Sequence, residues 1–510
     1  MTPKARDELA EVLARIQPYQ HAAGAGFAAA PSFTQGLPMI SRRHFMAAGG
    51  AGVVVAACSR PSTPVTNDIS QLEATALAGI VAVRQQADIL HALQRHPGQV
   101  CVAGARYSMG GQTSAEQALQ LDLAAYDGVV FLDVARKVVR VQAGMRWRAL
   151  QEHLDRHALA VKVMQSFSNF SIGGSVSVNC HGRYVGGGSV ASSVRALQII
   201  LRSGEVVEAS PAHNRALFAA VLGGYGLLGI ISEVELDVVD NDVLERRVEH
   251  IALADYPGWF ADKVASSPDA VMHNADLVPP SFDAPVAITW RRSQAALTDS
   301  TRLVPVGARY PTEQNLIWAM TEMPRGHSLR HSERVERRLR GPRVIHRNLE
   351  ASLDVASLEP RTRAMSTYLL QEYFIPERNF HRFATAMATL LRAHAVNALN
   401  VSIRHAPADT IALMPWAREA VFCFVLYYKQ RRYPWSDGQS AVWTRALIEL
   451  ALGCGGRYYL PYRPHATPAQ FLRAYPEAQA LVRLKREVDP QLQLVNHLWQ
   501  RYLAPLAVSA

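Results

Sequence analysis

Cysteine is scarce in this chain and does not cluster. Five cysteines in 510 residues stand far apart with no C-x-x-C pair, so no metal site is expected. A disulfide stays open, and no spacing selects a pair. Long apolar runs are lacking too. The run at 46–57 is too short to cross a bilayer core of about 30 Å at about 1.5 Å per helical residue. Charge is thin: 19% of residues, with a net +10 that leans towards anionic partners without specifying nucleic acid. No internal repeat or low-complexity segment is found. What is present is a 49% hydrophobic composition, over a length that suits two domains or more and a sizeable core.

The stretch "SRRHFMAAGGAGVVVAACS" places Arg42, Arg43 and Phe45 before that short apolar run, as in the hydrophobic region of a signal peptide. It resembles a twin-arginine (Tat) signal. "VAAC" at 55–58 resembles a lipobox with Cys58 as the lipidated residue. The expectation is export with folding, and often cofactor insertion, completed first. Anchoring at Cys58 would then put the protein on the periplasmic face of the membrane. An ordinary Sec signal, with Cys58 merely small and apolar, is the alternative. The 38 residues before Met39 are odd for any signal, and translation is expected to start at Met39.

Composition divides the rest. Residues 1–58 form the extension and signal, and 59–67, with Pro61 and Pro64, a linker. A first domain runs over 68–238, where short strands alternate with short helices and glycine-rich turns. "GVVFLDVARKVVRVQAG" reads as two strands around a turn, 147–157 as a helix, and "VRALQIILRSGEVVEAS" as a hairpin turning at Ser203-Gly204. A second domain, 239–450, has longer helices, more Arg, Trp and His, and strands such as 420–428. A tail, 451–510, follows. The basic stretch 325–347 reads as a solvated helix and loop, with anionic lipid headgroups as its second option.

Three stretches carry the chemistry. In "CVAGARYSMGGQ", glycines at 104, 110 and 111 allow positive φ and close approach. Successive N–H groups in such a turn form a nest suited to phosphate, to which Arg106 would add charge. In "SFSNFSIGGSVSVNCHGRYVGGGS", from Ser166 onwards, Gly173, Gly174 and Ser175 form a second tight loop. Asn179, His181 and Gly182 follow at a spacing that can hydrogen-bond a flat heterocycle. In "LFAAVLGGYGLLGIISEVELDVV" the glycines follow a helix (215–222) and precede a strand (230–239). That is the reverse of a dinucleotide-fold fingerprint.

In this order, the three stretches resemble the FAD-binding, PCMH-type domain of the vanillyl-alcohol oxidase family, over about 68–237. "GARYSMGG" resembles its pyrophosphate loop, "SIGGSVSVNCHG" its isoalloxazine-proximal loop and "GGYGLLGIISEVEL" its closing segment. The tail is similar to that of sugar-lactone and alditol oxidases, decaprenylphosphoryl-ribose oxidase and the sterol Δ24-reductase. The resemblance implies an α+β, two-domain fold: an FAD-binding domain and a substrate cap with an antiparallel sheet. It implies FAD bound by Ala103, Gly104, Ala105, Arg106, Tyr107, Ser108, Met109 and Gly110. It adds Ser166, Ile172, Gly173, Gly174, Ser175, Asn179, His181 and Gly182, with Gly226 and Ile231 at the adenosine end. Tyr107 stands where many relatives have a histidine bound covalently to the flavin, so noncovalent FAD is expected. Cys180 reads as small and buried.

An alcohol-oxidising flavoprotein needs a base near the hydroxyl. Relatives often place a lysine in the C-terminal strand, where this chain has Tyr462, which would need an adjacent cation to lower its pKa. "NVSIRHAP" resembles a floor strand of the alditol oxidases, carrying over Arg404 but with Ser402 in place of a glutamate. Lys429 is a further candidate. The expected activity is oxidation of a CH–OH group on a polyol, sugar lactone or similar alcohol, with oxygen, a quinone or a redox protein as electron acceptor. Two alternatives stand beside it: oxidation or reduction of a lipid-linked sugar or an isoprenoid- or sterol-like C=C, and a flavin-binding lipoprotein without turnover.

Overall fold

The computed structural model describes residues 63–324, 326 and 341–508. The signal-like stretch with Arg42, Arg43 and Cys58, and most of the basic stretch 325–347, lie outside these residues.

After a two-residue pairing of Val65–Thr66 with Thr75–Ala76, the first unit continues with β1 (Gly79–Ala82), α1 (Gln86–Arg95), β2 (Val100–Ala103) and β3 (Leu119–Asp122). Its strands form a small parallel sheet in the order β1-β3-β2. Next come β4 (Val129–Asp133), β5 (Val138–Gln142), β6 (Val194–Ile200), β7 (Val206–Ala209) and β8 (Ile230–Asp240), an antiparallel sheet in the order β7-β6-β8-β5-β4. The hairpin β6–β7 turns at Gly204, whose φ of +90° favours glycine. Helix α2 (Trp147–Asp155) buries Trp147, Leu150, Gln151 and Leu154, the stripe that a 3.6-residue period predicts. Two short helices, α3 (Ile172–Ser177) and α4 (Arg215–Val221), complete the unit. Because α4 precedes the third glycine cluster and β8 follows it, a dinucleotide-fold site is excluded there.

The cap is one eight-stranded antiparallel sheet. Its strands are β9 (Val243–His250), β10 (Ala270–Leu277), β11 (Val286–Arg292), β12 (Val344–His346), β13 (Ser366–Pro376), β14 (Ala398–Ala406), β15 (Val421–Arg431) and β16 (Arg457–Tyr458). They run in the order β12-β9-β11-β10-β14-β15-β13-β16. Helices α5 (Pro311–Glu322), α6 (Phe380–Ala393) and α7 (Ser436–Gly453) pack on it. Side chains alternate between the two faces of a strand, and here the faces have different duties. One face takes α6 and α7: Phe383 lies 4.9 Å from Phe424 and 5.7 Å from Tyr373, and Trp443 meets Tyr428 edge-on at 4.8 Å. The other turns Leu370, Glu372, Val425, Tyr427, Ser402 and Arg404 towards a cavity. With both faces covered, β15 is buried from Val421 to Gln430 and reads as a nearly unbroken apolar run.

The tail returns to the first unit through α8 (Ala478–Val488). There the buried Lys485 ammonium donates to the carbonyls of Leu227 and Leu494, both at 2.8 Å, and pairs with Asp489. The Met109 amide donates to the Pro461 carbonyl at 2.8 Å, which brings the segment around Tyr462 to the first glycine loop.

Candidate active site

A cavity of about 1320 Å³ lies between the two units. Its first wall is the loop after β2. Arg106 adopts φ +56°, the Ala105 amide donates to Ser171 Oγ at 3.3 Å, and the Tyr107 and Ser108 amides meet no protein acceptor among the described residues. Such a turn presents donors to an anion. Positive φ falls on Arg106 and Gly111, whereas Gly104 and Gly110 serve close approach. A Cβ on Gly104 would sit 2.2 Å from Ser171 Oγ, and one on Gly110 2.7 Å from the Tyr462 carbonyl. The Arg106 guanidinium does not supply free charge: it pairs with Asp122 at 3.0 Å and donates to Gln120 at 2.8 Å. Tyr107 lines the cavity and packs on Phe170, with ring centres 4.6 Å apart.

The second wall is the segment 165–183. Ser166, Gly174, Ser175, Val178, Cys180 and His181 line the cavity, and the buried Ser166 hydroxyl has no partner among the described residues. Several expected contacts lie elsewhere. Ala103, Ile172 and Gly173 back the loops; the Gly173 amide donates to Ala143, which a Cβ there would strike at 2.6 Å. Asn179 gives its side-chain amide to Asp409 Oδ2 at 2.6 Å, so it braces the loop instead of facing a ligand. Gly182 sits against the Met164 carbonyl, 2.0 Å from a notional Cβ. Gly226 and Ile231 are absent from the cavity lining; Ile231 packs within the sheet as the partner of Ile199. Burial pushes the Cys180 thiol up to about 12. All four cysteines of the described residues are free and buried.

The cap supplies the opposite wall, and here a residue that the motifs did not reveal stands out. Glu372, at the middle of β13, is 2% exposed. Its Oε1 is 2.5 Å from His181 Nε2, a contact that joins the two units. The His181 ring is fixed by Trp416 at 4.8 Å and Phe374 at 5.6 Å, and its buried Nδ1 has no protein partner among the described residues. The Tyr462 hydroxyl reaches Glu372 Oε2 at 3.5 Å. Arg404 lines the same wall with no carboxylate partner among the described residues.

Two base candidates fare badly. Burial, and then the Glu372 carboxylate, hold the Tyr462 phenol well above its ordinary range despite Arg404, so a phenolate base is disfavoured. Lys429 lies outside the cavity lining, its ammonium bound by Glu322 and by Thr321 Oγ1. Cys423 Sγ lies within 4.8 Å of the Glu372 and His181 ligand atoms, and burial pushes its thiol well above the ordinary range.

Two loops of small residues, unpartnered amides in a positive-φ turn and a broad cavity fit a long cofactor with an anionic middle and a flat ring system. These features fit a flavoprotein. Residues 77–210 match the family model of the FAD binding domain. Along most of its length the chain is similar to the decaprenylphosphoryl-β-D-ribose oxidase of Mycolicibacterium smegmatis, 22% identical over 77% of this chain and 86% of that one. It is similar also to the L-gulonolactone oxidase of Bos taurus, 21% identical over 81% and 92%. A D-arabinono-1,4-lactone oxidase of Yarrowia lipolytica is 39% identical over 20% of this chain and only 19% of its own. The matched domain gives the chain FAD as cofactor and makes it an FAD-dependent oxidoreductase, consistent with the PCMH-type family.

Proposed function

We propose that this protein oxidises a CH–OH group of a sugar-like alcohol or lactone. The observation that carries the reading is the His181–Glu372 contact. It sets a carboxylate of the cap against the flavin-side loop, inside the cavity that both units line. Bound FAD supplies the hydride acceptor. Glu372 is the group placed to take the hydroxyl proton. His181, with its proton on Nε2, donates to Oε1 and orients the carboxylate. Arg404 offers a cation to the substrate oxygen, and Tyr462, neutral, donates a hydrogen bond. Gly104, Gly174 and the amides of Tyr107 and Ser108 would hold the cofactor. Because Tyr107 cannot form the histidyl link and the Cys180 thiol is held protonated, FAD is bound noncovalently.

Anaerobic addition of polyols and lactones to the purified yellow protein tests the reading: loss of the visible flavin band supports it. Bleaching by a nicotinamide cofactor alone supports the reductive alternative instead. Neither result leaves a flavin-binding module without turnover.

The second part of the proposal concerns location. The twin arginine and Cys58 support Tat export and lipid anchoring at the periplasmic face, with the electron acceptor drawn from oxygen, a quinone or a redox protein. Replacing both Arg42 and Arg43 by Lys should strand a precursor in the cytoplasm, and Cys58→Ala should release soluble protein. Normal envelope levels of the double-lysine variant would refute the assignment.

A further inference from the structure

The cavity is larger than a polyol needs. At about 1320 Å³ it exceeds the roughly 300–1,000 Å³ of a site for one drug-sized ligand, as a cavity must that holds both FAD and a substrate. The floor also changes character along its strands. Glu372, Val425, Ser402 and Asp276 are register neighbours across β13, β15, β14 and β10, and this row is mostly polar. Two residues further on, the row reads Leu370, Tyr427 and Asn400. Two further still is Tyr368, opposite Lys429.

Above that end lies α5, which adds Ile317 and Met320 to the lining. Both phenols here are engaged. The Tyr427 hydroxyl donates to the Leu358 carbonyl at 2.5 Å, and the Tyr368 hydroxyl exchanges a hydrogen bond with Thr321 Oγ1 at 3.1 Å. Their rings therefore present apolar surface. Ile317, Tyr368, Leu399 and Tyr427 form a buried cluster of their own, and the Lys429–Glu322 ion pair stands beside it. All of these residues belong to the cap and none to the glycine loops. From Glu372 to Tyr368 is four residues, about 14 Å at roughly 3.4 Å per residue.

We infer that this end of the cavity is a subsite for an apolar arm, and that the substrate is an amphiphilic alcohol. Its reacting hydroxyl lies at Glu372 and its hydrocarbon body runs towards α5, along Leu370, Tyr427, Tyr368 and Ile317. The inference rests on the alcohol-oxidising reading and narrows it, since a bare polyol could use Asn400 and the Glu359–Arg363 pair here but would leave the apolar faces of Leu370, Tyr427, Tyr368 and Ile317 uncovered.

Calorimetric titration of the FAD-loaded protein with vicinal alkanediols, from propanediol to dodecanediol below their micellar concentrations, tests it. Each methylene buried contributes about 0.8 kcal/mol, close to a fourfold change in Kd. Kd should fall about three- to fourfold per added carbon and level off once the chain fills about 14 Å. Ile317→Asp, or Met320→Asp should the first variant fold poorly, should flatten the series while flavin content stays unchanged. A Kd independent of chain length, no binding at any length, or an undiminished slope in both variants would overturn the inference. With the flavin reduced beforehand under anaerobic conditions, the titration reads binding without turnover. A steep series in a protein that no alcohol reduces would sink the alcohol-oxidising reading and leave the apolar subsite standing; reduction by polyols with a flat series would do the reverse.

Discussion

The two walls of the cavity are built from different kinds of sequence. The flavin-side wall comes from two contiguous loops, 104–109 and 165–183, in which glycine and serine let backbone approach a ligand. The cap wall comes from single residues on separate strands: Glu372 on β13, Val425 on β15, Ser402 and Arg404 on β14. Only the antiparallel register brings them into neighbouring rows. A backbone-built wall is intolerant of side chains, whereas a wall of side chains is tolerant at most positions and unforgiving at one or two.

The largest effect should therefore come from adding atoms to the loop wall. A Cβ on Gly174 would already lie 2.8 Å from Ser171 Oγ, and a branched side chain would enter the cavity. Gly174→Val should lose most bound FAD, read as the ratio of flavin to protein absorbance. Full occupancy would break the contrast between the walls.

Two buried histidines away from the cavity should make the fold acid-sensitive. Burial lowers His273, on β10, to about 3 and His465, in the tail, to about 4. The unfolded chain protonates both near about 6.5. Between those values it binds protons that the folded chain does not, so stability is full above about pH 6.5 and falls as pH drops towards 4. The loss is on the order of 1 kcal/mol per pH unit for each group. Chemical denaturation across this range measures it; a flat profile would show that these histidines are solvated.

Tyr462→Phe should have the smallest effect. The neutral hydroxyl is a long-range donor to Glu372, so its removal should leave FAD occupancy intact and slow flavin reduction by about tenfold or less, not the roughly 10²–10⁴-fold expected on losing a general base. A larger loss in rapid-mixing kinetics would restore Tyr462 as the base.

The same contrast explains what could be read before the structure. The strand pairs of the first unit, the hairpin at Gly204 and the reversed helix–glycine–strand order of the third cluster were legible, because each is a local pattern. The first two glycine loops were legible for the same reason. Glu372 was not: it lies in "TYLLQEYFIP", where one acidic residue in an apolar strand was the only signal. Its meaning depends on His181, 191 positions away. Lys429 illustrates the converse. It points to the same face of the sheet as Tyr427, but α5 brings Glu322 to it, and no local pattern predicts that pairing. The pairings of Asn179 with Asp409 and of Arg106 with Asp122 were likewise not legible, because the partners come from other elements.

The central claim is that Glu372, held by His181 across the two units, takes the substrate proton. The most direct measurement is the anaerobic rate of flavin reduction in Glu372→Gln, at matched FAD content, with an alcohol that reduces the wild type. The account predicts a rate about 10²–10⁴-fold lower, with flavin binding unchanged. Reduction at the wild-type rate would contradict it.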